Sequence, residues 1–203
     1  MKVGFVNIFG KPNAGKSTLL NALMGEKLAI VSPKVQTTRH RIKAIYTDAH
    51  CQIIFSDTPG IIEPRYKLHE KMMQAVKNSL EDADIALLLA DATDNPEEAA
   101  LVFSALKLKV PAILVLNKTD LASSVQLKNA TEFFSLQPWC KKVMHISALR
   151  QKGIEELLKV LQEWLPEGMP FYEGDDISDL PTRFFVGELI REKIFLLLSL
   201  IHI

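Results

Sequence analysis

The stretch FVNIFGKPNAGKSTLLNALMGE, residues 5–26, passes from a branched and aromatic run through a glycine-rich loop into a second apolar run, and it constrains the fold more than any other part of the chain. Val3 to Phe9 reads as a buried strand that Gly10 ends. From Lys16, the residues Leu19, Leu20 and Leu23 recur at helical spacing, and Gly25 sits where a helix stops. The loop between them spells Gly10, four residues, then Gly15, Lys16 and Ser17. Successive backbone N–H groups of such a loop, here including those of Asn13, Ala14 and Thr18, wrap around a di- or triphosphate, and glycines permit the close approach. The phosphates then lie at a helix N-terminus, where unpaired N–H groups favour anions. Lys16 reaches the terminal phosphates, and the Ser17 hydroxyl is a candidate Mg²⁺ ligand.

Strand-like and helix-like segments alternate through the rest of the chain. IKAIYTDAHCQIIFSD reads as an antiparallel hairpin around a turn at 47–49. Residues 67–80 form a helix with Leu68, Met72, Met73, Val76 and Leu80 on one face, the methionines filling core. IALLLAD is a buried strand. Asn95 and Pro96 open a helix to about Lys109, PAILVLNKTD contains another buried strand, and a helix spans about Ser124 to Leu136. KKVMHIS is the last strand, and Gly153 to Leu165 the following amphipathic helix. The expectation is an α/β fold in three layers: a mostly parallel six-stranded sheet with one antiparallel strand and helices on both faces. A length of 203 residues suits one such domain with an appendage. With 24 basic and 24 acidic residues, bulk charge does not draw the chain toward nucleic acid or lipid. Cys51 and Cys140 belong to no metal-spaced cluster and read as small core residues in a reducing, cytoplasmic setting. His50, His69 and His145 are scattered, and Trp139 beside Pro138 reads as loop packing.

Ligands of such sheets collect at the carboxyl ends of the strands, and three further signals fall there. In DTPG, Asp57 can hold Mg²⁺ through a water while the Gly60 N–H faces the terminal phosphate. In NKTD, Asp120 can accept two hydrogen bonds from the N1 and N2 edge of guanine. Adenine offers no matching pair, and an unpaired buried carboxylate costs several kcal/mol in order of magnitude. Asn117 braces the loop, and the Lys118 stem lies along the base. In SAL, Ser147 to Leu149, the Ala148 N–H is placed to bond the guanine O6.

Over roughly residues 3–165 these motifs, in this order, resemble the translation-factor-like class of P-loop GTPases. GKPNAGKSTLLNAL, QTTRHRI, DTPGI and NKTD look like the Era family, bacterial GTPases of small ribosomal subunit assembly. The resemblance implies a Ras-like G domain over 1–166 that binds GTP or GDP with Mg²⁺ and hydrolyses GTP. It makes Lys16, Thr38 and Gly60 the catalytic set, with Thr37 the alternative to Thr38 as the switch threonine on Mg²⁺ and the terminal phosphate. It also implies 16S rRNA as a partner, a monomeric state, and peripheral membrane association of intact members. Many GTPases carry a water-orienting glutamine after the DxxG glycine, but this chain has Ile61 and Ile62. Catalysis then rests on Lys16, Mg²⁺ and backbone N–H groups, and slow intrinsic turnover is expected. Asn13 is open to two readings, a turn residue or, as in related proteins, a ligand that holds K⁺ near the phosphates.

From Pro166 to Pro181, proline, glycine and acid replace periodic hydrophobics, which reads as a linker over 167–181. TRFFVGELIREKIF then looks like the start of the family's KH-type RNA-binding domain over 182–203, with a helix from about Val186 to Phe195. No G-x-x-G loop follows residue 181, and the chain closes on an apolar run, LLLSLIHI. That run is too short for a membrane span and is expected to reflect an interrupted reading frame or a tail packed on a partner. Two other functions compete with the switch: a nucleotide-dependent binding module with negligible hydrolysis, and a related GTPase domain of tRNA modification or iron uptake.

Overall fold

The computed structural model describes residues 1–31, 38, 41–62 and 67–197, the side chains of 195 and 196 excepted. Thr37, the alternative switch threonine, lies outside the described residues, as does most of the apolar tail. The strands are β1 (Lys2–Gly10), β2 (Ile42–Thr47), β3 (Cys51–Asp57), β4 (Ile85–Asp91), β5 (Ala112–Asn117) and β6 (Cys140–His145). The helices are α1 (Lys16–Met24), α2 (Lys67–Glu81), α3 (Pro96–Ser104), α4 (Ser124–Ser135), α5 (Ile154–Trp164) and α6 (Thr182–Leu197). The sheet runs β2-β3-β1-β4-β5-β6; only the β2/β3 pair is antiparallel. This is the architecture the sequence predicts.

The alternation of side chains along buried strands divides the core in two. Ile85, Leu87 and Leu89 of β4, with Ile113 and Val115 of β5, pack among Leu19, Leu20 and Leu23 of α1 and Leu157 and Leu161 of α5. Ala86, Leu88 and Ala90, with Leu114 and Leu116, face Val76 of α2, Phe103 of α3 and Phe134 of α4. Trp139 packs edge-on to Phe103 at 5.7 Å between centroids, and its indole N–H donates to Ser104. It is loop packing, as expected.

Local details depart from the periodicity. α3 stops at Ser104 and not near Lys109, because Leu106 and Lys107 donate to the carbonyls three residues back and Lys107 turns left-handed with φ 49°. The buried face of α2 is His69, Met72, Val76 and Ser79, while Leu68 is exposed. The stripe is rotated because buried Asn7 of β1 donates from its side-chain amide to the Ser79 carbonyl, which draws the polar end of the helix onto the sheet. α6 begins at Thr182, four residues earlier than expected.

The segment after α5 lies against the sheet. Val3 donates to Pro166 and Gly168 to Met1, each at 2.9 Å. Phe5 and Phe171 stack at 5.1 Å. Ile45 donates to Ile177, and the Ser178 hydroxyl to Lys43, so this strap also caps the edge strand β2.

Candidate nucleotide-binding site

A cavity of about 460 Å³ opens at the carboxyl ends of the strands, and every motif read from the sequence reaches it or braces its wall. One end is the loop between β1 and α1. Gly15 has φ 97°, a conformation side chains rarely adopt, and a Cβ there would sit 2.3 Å from the Asn117 amide nitrogen. Asn13 also takes a positive φ, 61°, on the cavity wall. The Asn117 amide donates to Ala14 O at 2.9 Å, so the base-side loop clamps the phosphate-side loop directly. Gly60 packs on Pro12, where a Cβ would approach to 2.9 Å, and Ile61 N–H donates to Gly10 O.

Lys16 is buried, and its ammonium donates to the carbonyls of Gly10 at 3.2 Å and Lys11 at 2.9 Å. Burial lowers its pKa to about 8, and the Asp57 carboxylate opposes that shift. A phosphate anion in the loop would favour the charged form further. Ser17, Thr38 and Asp57 converge beside it. Asp57 Oδ2 accepts from the Ser17 hydroxyl at 2.7 Å and the Thr38 hydroxyl at 3.0 Å, and the two hydroxyls are 3.0 Å apart. Burial pushes the Asp57 carboxyl above its ordinary range, against the pull of Lys16 and both hydroxyls. Its other oxygen, Oδ1, is buried with no hydrogen-bond partner. An oxygen-only donor set with one orphaned carboxylate oxygen fits a hard cation such as Mg²⁺ and the water between them. Among the described residues no group of three His, Cys, Asp or Glu side chains could hold a metal.

At the other end, Asp120 accepts from the Ser147 hydroxyl at 2.5 Å, and that bond holds the carboxyl below its usual range. Lys118, at φ 62°, turns its ammonium away from the cavity to Asp91 at 2.5 Å, which leaves the stem along the wall. Thr119 ties this loop to Ile146 through its N–H and its hydroxyl. The Ala148 N–H, expected on a base oxygen, donates to Asn117 Oδ1 at 3.0 Å. Leu149 is exposed at the rim and lines the cavity, as do Ser147 and Thr18.

Sequence reasoning missed Ile30, Val31 and Leu121, which wall the cavity. Leu121 adjoins NKTD and could have been added by position; Ile30 and Val31 lie in a loop with no motif. Ile61 is partly buried against the α2/α3 side of the core. Its alkyl side chain offers nothing to a water.

Comparison with known proteins follows this geometry. A family model described as 50S ribosome-binding GTPase matches residues 5–118. The curated GTPase Era of Carboxydothermus hydrogenoformans is 42% identical over 195 residues, 95% of this chain and 65% of that protein. The chain thus spans just under two thirds of the length of such relatives. Among solved structures, Era in complex with MgGDPNP and a segment of 16S ribosomal RNA superposes with a TM-score of 0.90. It shows 42% identity and covers 98% of this chain and 68% of that one. An Aquifex aeolicus Era variant bound to GDP·AlF4⁻ matches at TM-score 0.90 and 41% identity, over 98% and 69% of the two chains.

Proposed function

The chain belongs to the Era family of GTPases, and from that premise we propose that residues 1–166 are a GTP-binding and GTP-hydrolysing switch that serves small ribosomal subunit assembly. One observation carries the reading: one cavity is lined by the phosphate loop, by Ser17 and Thr38 of the oxygen triad, and by Asp120 of NKTD. The loop N–H groups and Lys16 bind and orient the phosphates. Ser17, Thr38 and Asp57 would hold Mg²⁺, which when bound offsets charge on the β- and γ-phosphates. Thr38 and Gly60 place the two switch segments against the terminal phosphate, so loss of that group releases both. Asp120 selects guanine. Asn13 is the candidate ligand for K⁺.

The relative caught with 16S rRNA supports the same partner for this chain, with residues 182–203 in the region that resembles the family's RNA-binding sequence. With no net charge, the chain would meet RNA through a local surface and not through bulk attraction. Ile61 favours a second reading, a nucleotide-dependent binding module with negligible hydrolysis. Phosphate release in K⁺ and in Na⁺ buffers, with ATP and Lys16→Ala as controls, decides between them. The switch predicts GTP-selective turnover that falls at least about a hundredfold in Lys16→Ala, and a faster rate in K⁺ would support Asn13 as the cation's ligand over its reading as a turn residue. Tight guanine-nucleotide binding with no phosphate even in a single turnover would establish the binding module.

A further inference from the structure

Among the described side chains of α6, only one is buried, and it is a carboxylate: Glu192, 1% exposed. A buried acid is costly unless it is paired. Glu192 is hydrogen-bonded to the loop after α1: Oε2 accepts from Lys27 Nζ at 2.6 Å and Oε1 from Val31 N–H at 3.3 Å. That loop is fixed from within by Asn21 of α1, whose amide oxygen accepts from Leu28 and Ala29 and whose amide nitrogen donates to Ala29 O. Asn21 holds Leu28 and Ala29, and Glu192 holds Lys27 and Val31. Ile30 and Val31 also wall the nucleotide cavity. The rest of the contact is looser, with a gap of about 30 Å³ between residues 27–30 and the side of α6 that carries Phe185 and Leu189.

We propose that Glu192 is a positioning residue for the nucleotide site: through Lys27 and Val31 it sets the wall formed by Ile30 and Val31, so that nucleotide occupancy and docking of α6 strengthen each other. The inference rests on the nucleotide-binding reading above. Such coupling is reciprocal by linkage, and couplings of this kind commonly reach about fivefold to a hundredfold in affinity. It gives the segment beyond residue 181 a direct mechanical connection to the site.

The test uses the full chain as wild type, Glu192→Ala, Glu192→Gln and Lys27→Met. Two quantities are read: release of fluorescent GDP, and amide exchange of α6 with and without GDP and Mg²⁺. Glu192→Ala is expected to release GDP about tenfold faster. Glu192→Gln keeps an oxygen for the Val31 N–H but loses the charge that Lys27 pairs with, and gives a smaller loss than Glu192→Ala. In wild type, nucleotide slows exchange along α6; in Glu192→Ala it does not. Lys27→Met, altered at a half-exposed position, shows the same loss of coupling and stands in should Glu192→Ala fail to fold. Equal GDP release in wild type and variants, or α6 exchange indifferent to nucleotide in wild type, overturns the coupling alone. A wild type that binds no fluorescent GDP overturns the nucleotide reading and the coupling with it.

Discussion

Asp91 ends β4 with its carboxylate 2.5 Å from Lys118 Nζ, and it also accepts from the N–H and the hydroxyl of Thr93. Burial pushes its pKa up, but the bonds from Lys118 and Thr93 outweigh that and hold it below the ordinary value. A carboxyl depressed in the folded state stabilises it above the unfolded pKa, near 3.9, and loses that contribution as pH falls through the folded value. Asp91→Asn is therefore expected to be about 1–2 kcal/mol less stable than wild type at pH 7. The difference should shrink below about pH 4. Urea midpoints at pH 7 and pH 3 check it; a gap that is the same at both would show that the pair contributes through packing and not charge. Lys16, Ser17, Asp57, Asn117 and Asp120 were legible in the sequence, because each sits at fixed spacing from a strand end and its chemistry requires that residue type. Asp91 was not. Its role depends on a neighbouring strand's loop placing Lys118 beside it, and no local pattern encodes that pairing. Ile30 and Val31 escaped for a related reason: apolar residues in a loop mean nothing until the opposite wall is known.

Elements were most legible where their ends carry their own chemistry. α4 begins at a capping box in which Gln126 N–H donates to the Ser123 hydroxyl and Ser123 N–H to Gln126 Oε1. α3 begins at Asn95, which accepts from Glu97 N–H ahead of Pro96. Both starts follow from the sequence. The end of α3 does not, because its last carbonyls are met by two tight turns at Ala105 to Lys107, a choice set by packing under Leu106 and Leu108. The face of α2 is misread for a similar reason: a single amide, Asn7, outweighs the nominal stripe from Leu68. Since the α4 cap is exposed and its bonds stay within Ser123 and Gln126, Ser123→Ala should cost about 1 kcal/mol of stability and leave GDP affinity within about twofold. Thermal melts paired with nucleotide titration read both. A large loss of affinity would mean that α4 and the NKTD loop beside it do not move as independent units.

At the scale of the molecule, composition reads residues 167–181 as a tether, since proline, glycine and acid do not make a periodic element. Their tertiary partners make them a strap. Gln52 is fully buried in β3, and its amide is used from both sides: Oε1 accepts from Phe171 at 2.7 Å and Tyr172 at 3.0 Å, and Nε2 donates to Tyr172 O at 2.9 Å. No spacing rule connects residue 52 to residue 171, so this part of the organisation was invisible in the sequence. Gln52 lies on the strand that ends in Asp57, and the strap leads past the Lys43 and Asp179 pair, 3.2 Å apart, into α6 and Glu192. The C-terminal segment is therefore held by the sheet along the strap and by the loop after α1 at Glu192. Gln52→Ala removes the bonds at the centre of the strap. The freed N–H groups of Phe171 and Tyr172 can turn to water as the strap lifts, so the cost falls on the strap and not on the sheet. Amide exchange at Phe171 and Tyr172 is expected to rise at least about tenfold, with new protease cuts within 167–181, while β3 and β1 stay protected. Protection lost evenly across the sheet would instead show that strap and sheet unfold as one unit, with Gln52 part of the common core.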